Sequence, residues 1–279
     1  SPHQAPKTIA ITPPHEAELV LEADVVVAGS GAGGGTIAGT LAQAGKDVVI
    51  LEAGGYYNEA DFNQLELWAY QNLYRAGGVS ATANGQIAIM AGSNLGGGTT
   101  VNWTNCLRTS PWVREEWEHE HGLEGLAGAD YDRHLDAVFA RIGVNDQCSD
   151  FNGPTKRMQE ACDKLGYSFK VITRNADQDA YDADLAGLLG FGDQTGSKLG
   201  TMKTYLQDAS DAGARTVVNC RVARILTEAG RAVGVQGTYT DADGVVARVI
   251  VRAPQVVCAA SALDTPALLL RSGIGGPAA

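Results

Sequence analysis

The stretch that most constrains this chain is residues 23–55, which has the pattern of one strand–turn–helix–strand unit. A β-branched apolar run leads into three glycines, Gly29, Gly31 and Gly34. A helix rich in small residues follows, and a second apolar run ends on Glu52. This order is the βαβ fingerprint of a dinucleotide-binding fold.

Each of these residue types has a physical role in that fingerprint. Gly29 permits the tight turn after the first strand, and Gly31 lets the backbone approach a pyrophosphate closely. Gly34 lets the helix lie against the strand, and the helix N-terminus offers N–H groups to the phosphates. Glu52 is placed to accept hydrogen bonds from ribose hydroxyls. A carboxylate there repels a 2′-phosphate, so the pattern disfavours NADP.

Composition excludes several classes of protein. A length of 279 residues with 44% hydrophobic and 19% charged residues indicates a globular protein with a sizeable core. The net charge of −11 disfavours a nucleic-acid partner. No apolar run is long enough for a membrane span, and residues 1–22 lack the pattern of a signal peptide, so we expect a cytoplasmic location.

Cysteines and histidines show no metal or disulfide pattern. The five cysteines are scattered without CxxC spacing, and no HExxH is present, so no metal site is predicted. A P-loop and a GxSxG elbow are also missing from the sequence.

The middle of the chain combines a second glycine-rich stretch with helical patterns. Residues 92–104 carry Leu, Val and Trp among their glycines, which favours a loop wrapped around a ligand over a flexible linker. Residues 108–215 are mostly helical by their periodicity, and we expect the apolar faces of residues 131–142 and 158–165 to be core.

After residue 216 the periodicity changes to that of strands. Four segments, at 217–218, 222–226, 232–240 and 245–251, predict an antiparallel meander. A short strand at 255–260 follows. Residues 263–272 then predict a helix with Pro266 in its first turn.

Three separated stretches together resemble the glucose-methanol-choline (GMC) family of flavin oxidoreductases. They are residues 29–34 (GSGAGG) with 51–54 (LEAG), residues 92–103 (GSNLGGGTTVNW) and residues 259–275 (AASALDTPALLLRSGIG). Within the family, residues 101–104 and those after them are most similar to the long-chain alcohol oxidase branch. The resemblance extends over nearly the whole chain from residue 23.

The resemblance implies an α/β, Rossmann-like FAD-binding fold with a parallel sheet, an antiparallel β-meander and a mostly helical insertion. It implies an N-terminal extension (1–22), two parts of the FAD-binding domain (23–107 and 216–279) and a helical insertion or cap region (108–215). The loop at 92–104 is expected to pack on the isoalloxazine, and Val222 to meet the adenine edge through its backbone. The residues expected to bind the cofactor are Gly29, Ser30, Gly31, Ala32, Gly33, Gly34, Glu52, Ala53, Gly92, Ser93, Gly97, Thr99, Asn102, Trp103, Val222 and Ala260.

The resemblance also implies oxidation of a small-molecule primary alcohol to an aldehyde by hydride transfer to flavin N5, with a histidine as general base. The branch named above implies a long-chain alcohol. Some members attach the flavin covalently through a histidine of the second loop. Residues 92–104 contain none, so non-covalent FAD is expected.

Two departures from the family pattern bear on function. Ser261 stands where the family usually has glycine. The chain also stops before the family's substrate domain and catalytic histidine, and none of its five histidines lies in a matching motif. We therefore assign no catalytic residue, and expect a carboxy-terminal half to be missing or to be a separate chain, without which activity is not expected. Two alternatives stay open: a NAD-dependent dehydrogenase, which leaves the second and third motifs unexplained, and a non-catalytic dinucleotide-binding module.

Overall fold

A computed structural model describes residues 6–275 of the chain. His3, one of the histidines considered above, and the last four residues of the sequence lie outside this range. The chain divides into two compact units. One consists of the residues up to Asn102, Leu188–Gln194 and the residues from Gly200 onward, and the other of Trp103–Gly187 and Thr195–Leu199. The division into parts that the sequence suggests remains a prediction.

The strands within the described residues are β1 Glu18–Glu22, β2 Val25–Ala28, β3 Val48–Leu51, β4 Ser80–Ala81, β5 Ala88–Ile89, β6 Asn105–Cys106, β7 Val144–Asn145, β8 Thr173–Asn175, β9 Arg215–Val217, β10 Cys220–Glu228, β11 Arg231–Thr240, β12 Val246–Arg252 and β13 Gln255–Cys258. The α-helices there are α1 Ala32–Gln43, α2 Glu66–Leu73, α3 Gly98–Val101, α4 Pro111–His121, α5 Ala129–Arg141, α6 Gly153–Leu165, α7 Tyr205–Asp211 and α8 Ser261–Arg271. Short 3₁₀ segments span Arg75–Gly78, Ala186–Phe191 and Thr201–Lys203.

The larger unit is built on a parallel sheet with the strand order β13-β2-β3-β9. Every residue of β2 and β3 is buried, because both faces of the sheet are covered. Val25 and Ile50 belong to a core cluster that includes residues of α1 and α7, whereas Val26 and Val49 belong to a second cluster with residues of the other large sheet. The continuous apolar runs of the sequence follow from this two-sided burial.

The second large sheet has the order β1-β12-β11-β10, with antiparallel pairing from β12 to β10 and parallel pairing of β1 to β12. The predicted α/β fold with a parallel sheet and a β-meander is therefore confirmed. β1 was not expected from the sequence, because only one face of this edge strand is even half-buried.

One strand of the predicted meander lies in a different sheet. Val217, which is fully buried, belongs to β9. This strand pairs in parallel with β3, and Val217 lies opposite Leu51. The three residues of β9, which read Arg-Thr-Val, carry no signal for the sheet they join. The prediction of a four-stranded meander beginning at residue 217 was wrong at this strand.

The smaller unit contains α4, α5, α6 and a three-stranded sheet with the order β6-β8-β7. Its helices confirm the periodicity, but their apolar faces are not fully buried. No side chain of α5 or α6 within the described chain is classed as buried, and Met158 and Leu165 on α6 are 61% and 65% exposed. The prediction that the face at 158–165 is core was wrong, because helical period reports one apolar face and not what covers it.

Helix α8 begins at Ser261, two residues before the predicted start, so Pro266 lies inside the helix and not in its first turn as predicted.

No helix within residues 6–275 has the length and apolar character needed to cross a bilayer.

Candidate dinucleotide-binding site

The glycine turn after β2 is shaped by backbone that passes very close to it. Gly29 has a φ of 103°, and a Cβ built there would lie 2.4 Å from the carbonyl oxygen of Ala259. A Cβ on Gly34 would lie 1.9 Å from the carbonyl oxygen of Gly29. These two positions exclude any larger residue because the turn, α1 and the chain after β13 meet there.

The N-terminus of α1 carries no side-chain cap. Its N-cap residue is Gly31, and the first turn contains no acidic residue. The first N–H groups of a helix have no partner within the helix, and its dipole is positive at this end. The end of α1 can therefore bind an anionic group such as a phosphate.

Glu52, at the end of β3, is held by the glycine turn. The N–H and hydroxyl of Ser30 both donate to its Oε2, at 3.0 and 2.6 Å, and the Gly54 N–H donates to its Oε1 at 2.8 Å. Burial raises the pKa of this carboxyl, and the hydrogen bonds from Ser30 and Gly54 partly offset that rise. Glu52 thus has a structural role beyond the ribose contact expected from the sequence.

The second glycine-rich stretch packs directly on the first. The Gly96 N–H donates to Oγ of Ser30 at 3.1 Å, and a Cβ on Gly97, whose φ is 53°, would lie 2.9 Å from Cα of Gly31. The Thr99 and Thr201 hydroxyls are 2.9 Å apart, and Thr99 donates to the carbonyl of Gly96 at 2.7 Å. Ser30 therefore links β3, the first glycine turn and the second loop.

A cavity of about 470 Å³ lies where these segments converge, within the larger unit. This volume is within the range of small-molecule sites. Its lining comes from the first glycine turn, the end of β3, the second glycine loop, the start of β10 and the chain that leads into α8. Three sequence motifs that are far apart in the chain thus border one cavity.

Most of the predicted binding residues line this cavity. They are Gly29, Ser30, Gly31, Ala32, Gly33, Glu52, Ala53, Gly92, Ser93, Gly97, Thr99, Asn102, Val222 and Ala260. Gly34 is not part of the lining, since it packs on Gly29. Trp103 is not part of it either; it belongs to the smaller unit, where its indole N–H donates to the carbonyl of Gly187 at 3.2 Å.

Several lining residues were missed from the sequence. Asp264, Leu268 and Arg271 recur at helical spacing on α8, so the third motif contained a signal for them. Arg221 precedes Val222, whereas Arg75 lies in no motif.

Nucleophile and metal chemistry have little support in the described chain. Burial raises the pKa of the Cys220 thiol, which lines the cavity, to about 12, so it stays protonated at neutral pH. No histidine within residues 6–275 lines the cavity. Glu116, Glu120 and His121 place ligand atoms within 4.8 Å of one another on α4, but all three are exposed, and such groups are common without a metal.

Comparisons with known proteins agree on one family. A family model described as GMC oxidoreductase matches residues 70–279. The long-chain-alcohol oxidase FAO4B of Arabidopsis thaliana is 34% identical over 92% of this chain and 35% of its own length. An uncharacterised GMC-type oxidoreductase of Mycobacterium tuberculosis is 39% identical over 92% of this chain and 40% of its own length.

Solved structures show the same fold. Pyridoxine 4-oxidase of Mesorbium loti has a TM-score of 0.63 at 20% identity, over 90% of this chain and 52% of that chain. Formate oxidase of Aspergillus oryzae has a TM-score of 0.61 at 16% identity, over 92% of this chain and 48% of that one. The chain thus spans roughly a third to a half of the length of the proteins it matches.

Proposed function

The chain belongs to the GMC oxidoreductase family and its cofactor is FAD, and we propose that the cavity at the N-terminus of α1 is the FAD site of an enzyme that oxidises alcohols. The observation that carries this proposal is the convergence of all three family motifs on one cavity. Membership of this family supports FAD-dependent oxidoreduction as the activity of the whole enzyme.

The residues present fit the two ends of a dinucleotide. The uncapped end of α1 and the open space beside the backbone of Gly31 suit a pyrophosphate. Glu52 accepts two hydrogen bonds from Ser30 on Oε2 and one from Gly54 on Oε1. Oε1 therefore has capacity to accept a further hydrogen bond from a ribose hydroxyl. We assign the adenine edge to the backbone of Val222 and the isoalloxazine face to the second glycine loop, with Ser93, Gly97, Thr99 and Asn102 as contacts. FAD is proposed to bind without a covalent bond, since residues 92–104 contain no histidine.

The proposed substrate is a primary alcohol, with a long aliphatic chain as the favoured class. Support comes from the long-chain-alcohol oxidases among the relatives and from residues 101–104. Bound FAD would accept the hydride that leaves the alcohol carbon. This chain's residues would bind and orient the cofactor and exclude water from it. The general base is proposed to come from the carboxy-terminal portion that the relatives possess, and a cytoplasmic location remains a prediction.

The first experiment is a visible absorption spectrum of the purified chain reconstituted with FAD, before and after acid precipitation, with intact mass on the same sample. Flavin bands that move to the supernatant, with an unmodified protein mass, support non-covalent FAD. A colourless protein that binds NAD in a titration would contradict the cofactor assignment.

Substrate class is tested by supplying the carboxy-terminal portion of the Arabidopsis relative as a separate chain. Under anaerobic conditions, 1-dodecanol is expected to reduce the flavin of the mixture faster than choline or glucose. Reduction by choline or glucose in preference would overturn the long-chain assignment. Restored cofactor binding without reduction by any alcohol would favour a non-catalytic module.

A further inference from the structure

A charge cluster of Arg75, Arg221 and Asp264 borders the cavity, and neither arginine lies in any of the three family motifs. Arg75 donates to both oxygens of Asp264, from Nε at 2.9 Å and from Nη2 at 3.3 Å. A second arginine, Arg221, has its Nη1 3.7 Å from Oδ1 of the same carboxylate. All three residues line the cavity.

The two arginines make different contacts with Asp264. The bidentate geometry commits Arg75 to its partner, and both side chains of that pair are about one third exposed or less. The distance from Arg221 to Asp264 is too long for a hydrogen bond, so this contact is electrostatic. It therefore takes up none of the hydrogen-bond donors of the Arg221 guanidinium.

Cavity charge contrasts with the charge of the whole chain. The protein carries −11, yet the charged residues of the cavity lining are three arginines and two acids, a net formal charge of +1. A dinucleotide presents two negative charges on its pyrophosphate. Positive charge concentrated here in an acidic protein is complementary to that group.

The position of Arg221 favours the nucleotide half of the ligand. It directly precedes Val222 on β10, and Asp264 lies in the first turn of α8, just after Ala260. The backbone of Arg75 is held by the segment that precedes Gly92, because the Arg75 backbone N–H donates to the carbonyl of Ala91 at 2.8 Å. Asp264 therefore fixes Arg75 by hydrogen bonds, whereas it attracts Arg221 without using that residue's hydrogen-bond donors.

We propose that Arg221 binds the phosphates of the dinucleotide and that Asp264 is the residue that positions it. This inference rests on the proposed function, because it takes the cavity to be the FAD site. The simpler role, an ion pair that only ties α8 to the segment Arg75–Gly78, involves Arg75 and Asp264 and does not need Arg221.

The test is calorimetric titration of the wild type and of R221A with FAD, ADP and adenosine, the last of which lacks phosphates. Arg224→Ala is the matched control, since Arg224 is exposed on the same strand and its Nη2 donates a hydrogen bond to Oε1 of Gln236 at 3.0 Å. We expect R221A to weaken FAD and ADP about tenfold, as loss of a charge-assisted bond predicts, and to leave adenosine unchanged. The loss should shrink as salt is raised, and R224A should bind all three ligands as the wild type does.

Asp264→Asn provides the second variant. It is expected to weaken ADP by a smaller factor than R221A, and the double variant R221A/D264N should bind ADP no more weakly than R221A alone. Unchanged ADP affinity in R221A, an equal loss with adenosine, or an equal loss in R224A would overturn the inference. If the wild type binds neither FAD nor ADP, the proposed function fails as well; if it binds both and R221A matches it, only this inference fails.

Discussion

Replacing Ser30 with alanine should weaken both the fold and FAD binding, because its buried hydroxyl joins three segments. The hydroxyl donates to Glu52 Oε2 at 2.6 Å and accepts the Gly96 N–H at 3.1 Å, and the residue has no exposed surface. A hydrogen bond to a charged group contributes about 1.5–3 kcal/mol, and an unpaired buried N–H costs about 1–3 kcal/mol. Because the two terms are not additive, we expect a loss of about 2–4 kcal/mol in the free energy of unfolding.

The assay is urea denaturation followed by circular dichroism, together with an FAD titration of the same samples. Thr36→Ala on α1 is the control, since its hydroxyl donates to the carbonyl of Ala32 at 2.7 Å and is exposed. That substitution should change the free energy of unfolding by less than about 0.5 kcal/mol. Equal stability and equal FAD affinity in S30A and T36A would refute the linking role of Ser30.

Three further substitutions test other parts of the site. Gly34→Ala should cost about 2–4 kcal/mol of unfolding free energy in urea, since its Cβ would lie 1.9 Å from the Gly29 carbonyl, whereas Gly33→Ala meets no atom within 4 Å and should not. Burial holds the folded-state pKa of Glu52 above its ordinary value of 4.5, so on raising the pH Glu52 ionises in the unfolded chain before it ionises in the folded protein. The stability of the wild type relative to E52Q should therefore fall as pH rises from 4.5 through the raised pKa. An increase in relative stability over this range would contradict the upward direction of the pKa shift. Ser261→Gly should raise the free energy of unfolding by about 0.5–1 kcal/mol, because Ser261 has a φ of 70°; a loss of stability would show that its Oγ contact with the Leu263 N–H outweighs the strain.

Local sequence rules were sufficient where chemistry and backbone geometry require one residue type. The turn at Gly29, the start of α1 and the acid at Glu52 follow from a tight turn, an anion site and a strand end. Family resemblance added the second loop and the third motif. It also identified Ser261 as a departure from glycine, and the positive φ of that residue gives a physical reason for the usual glycine.

What the sequence did not reveal depends on pairing over long separations. Val217 reads as a strand residue in either sheet, and only the pairing of β9 with β3 decides between them. The exposure of Met158 depends on what covers α6, which periodicity does not report. The ion pair of Arg75 with Asp264 joins residues 189 positions apart and has no local signature.

The most direct test of the account is an FAD titration of Gly31→Ala beside the wild type. A Cβ at Gly31 meets no protein atom within 4 Å, its φ is −62°, and the residue lines the cavity. The fold should therefore tolerate alanine with a change of about 1 kcal/mol or less. If the pyrophosphate approaches this backbone, FAD affinity should fall at least about tenfold with a nearly unchanged Tm. Wild-type FAD affinity in G31A would contradict the assignment of this cavity as the cofactor site.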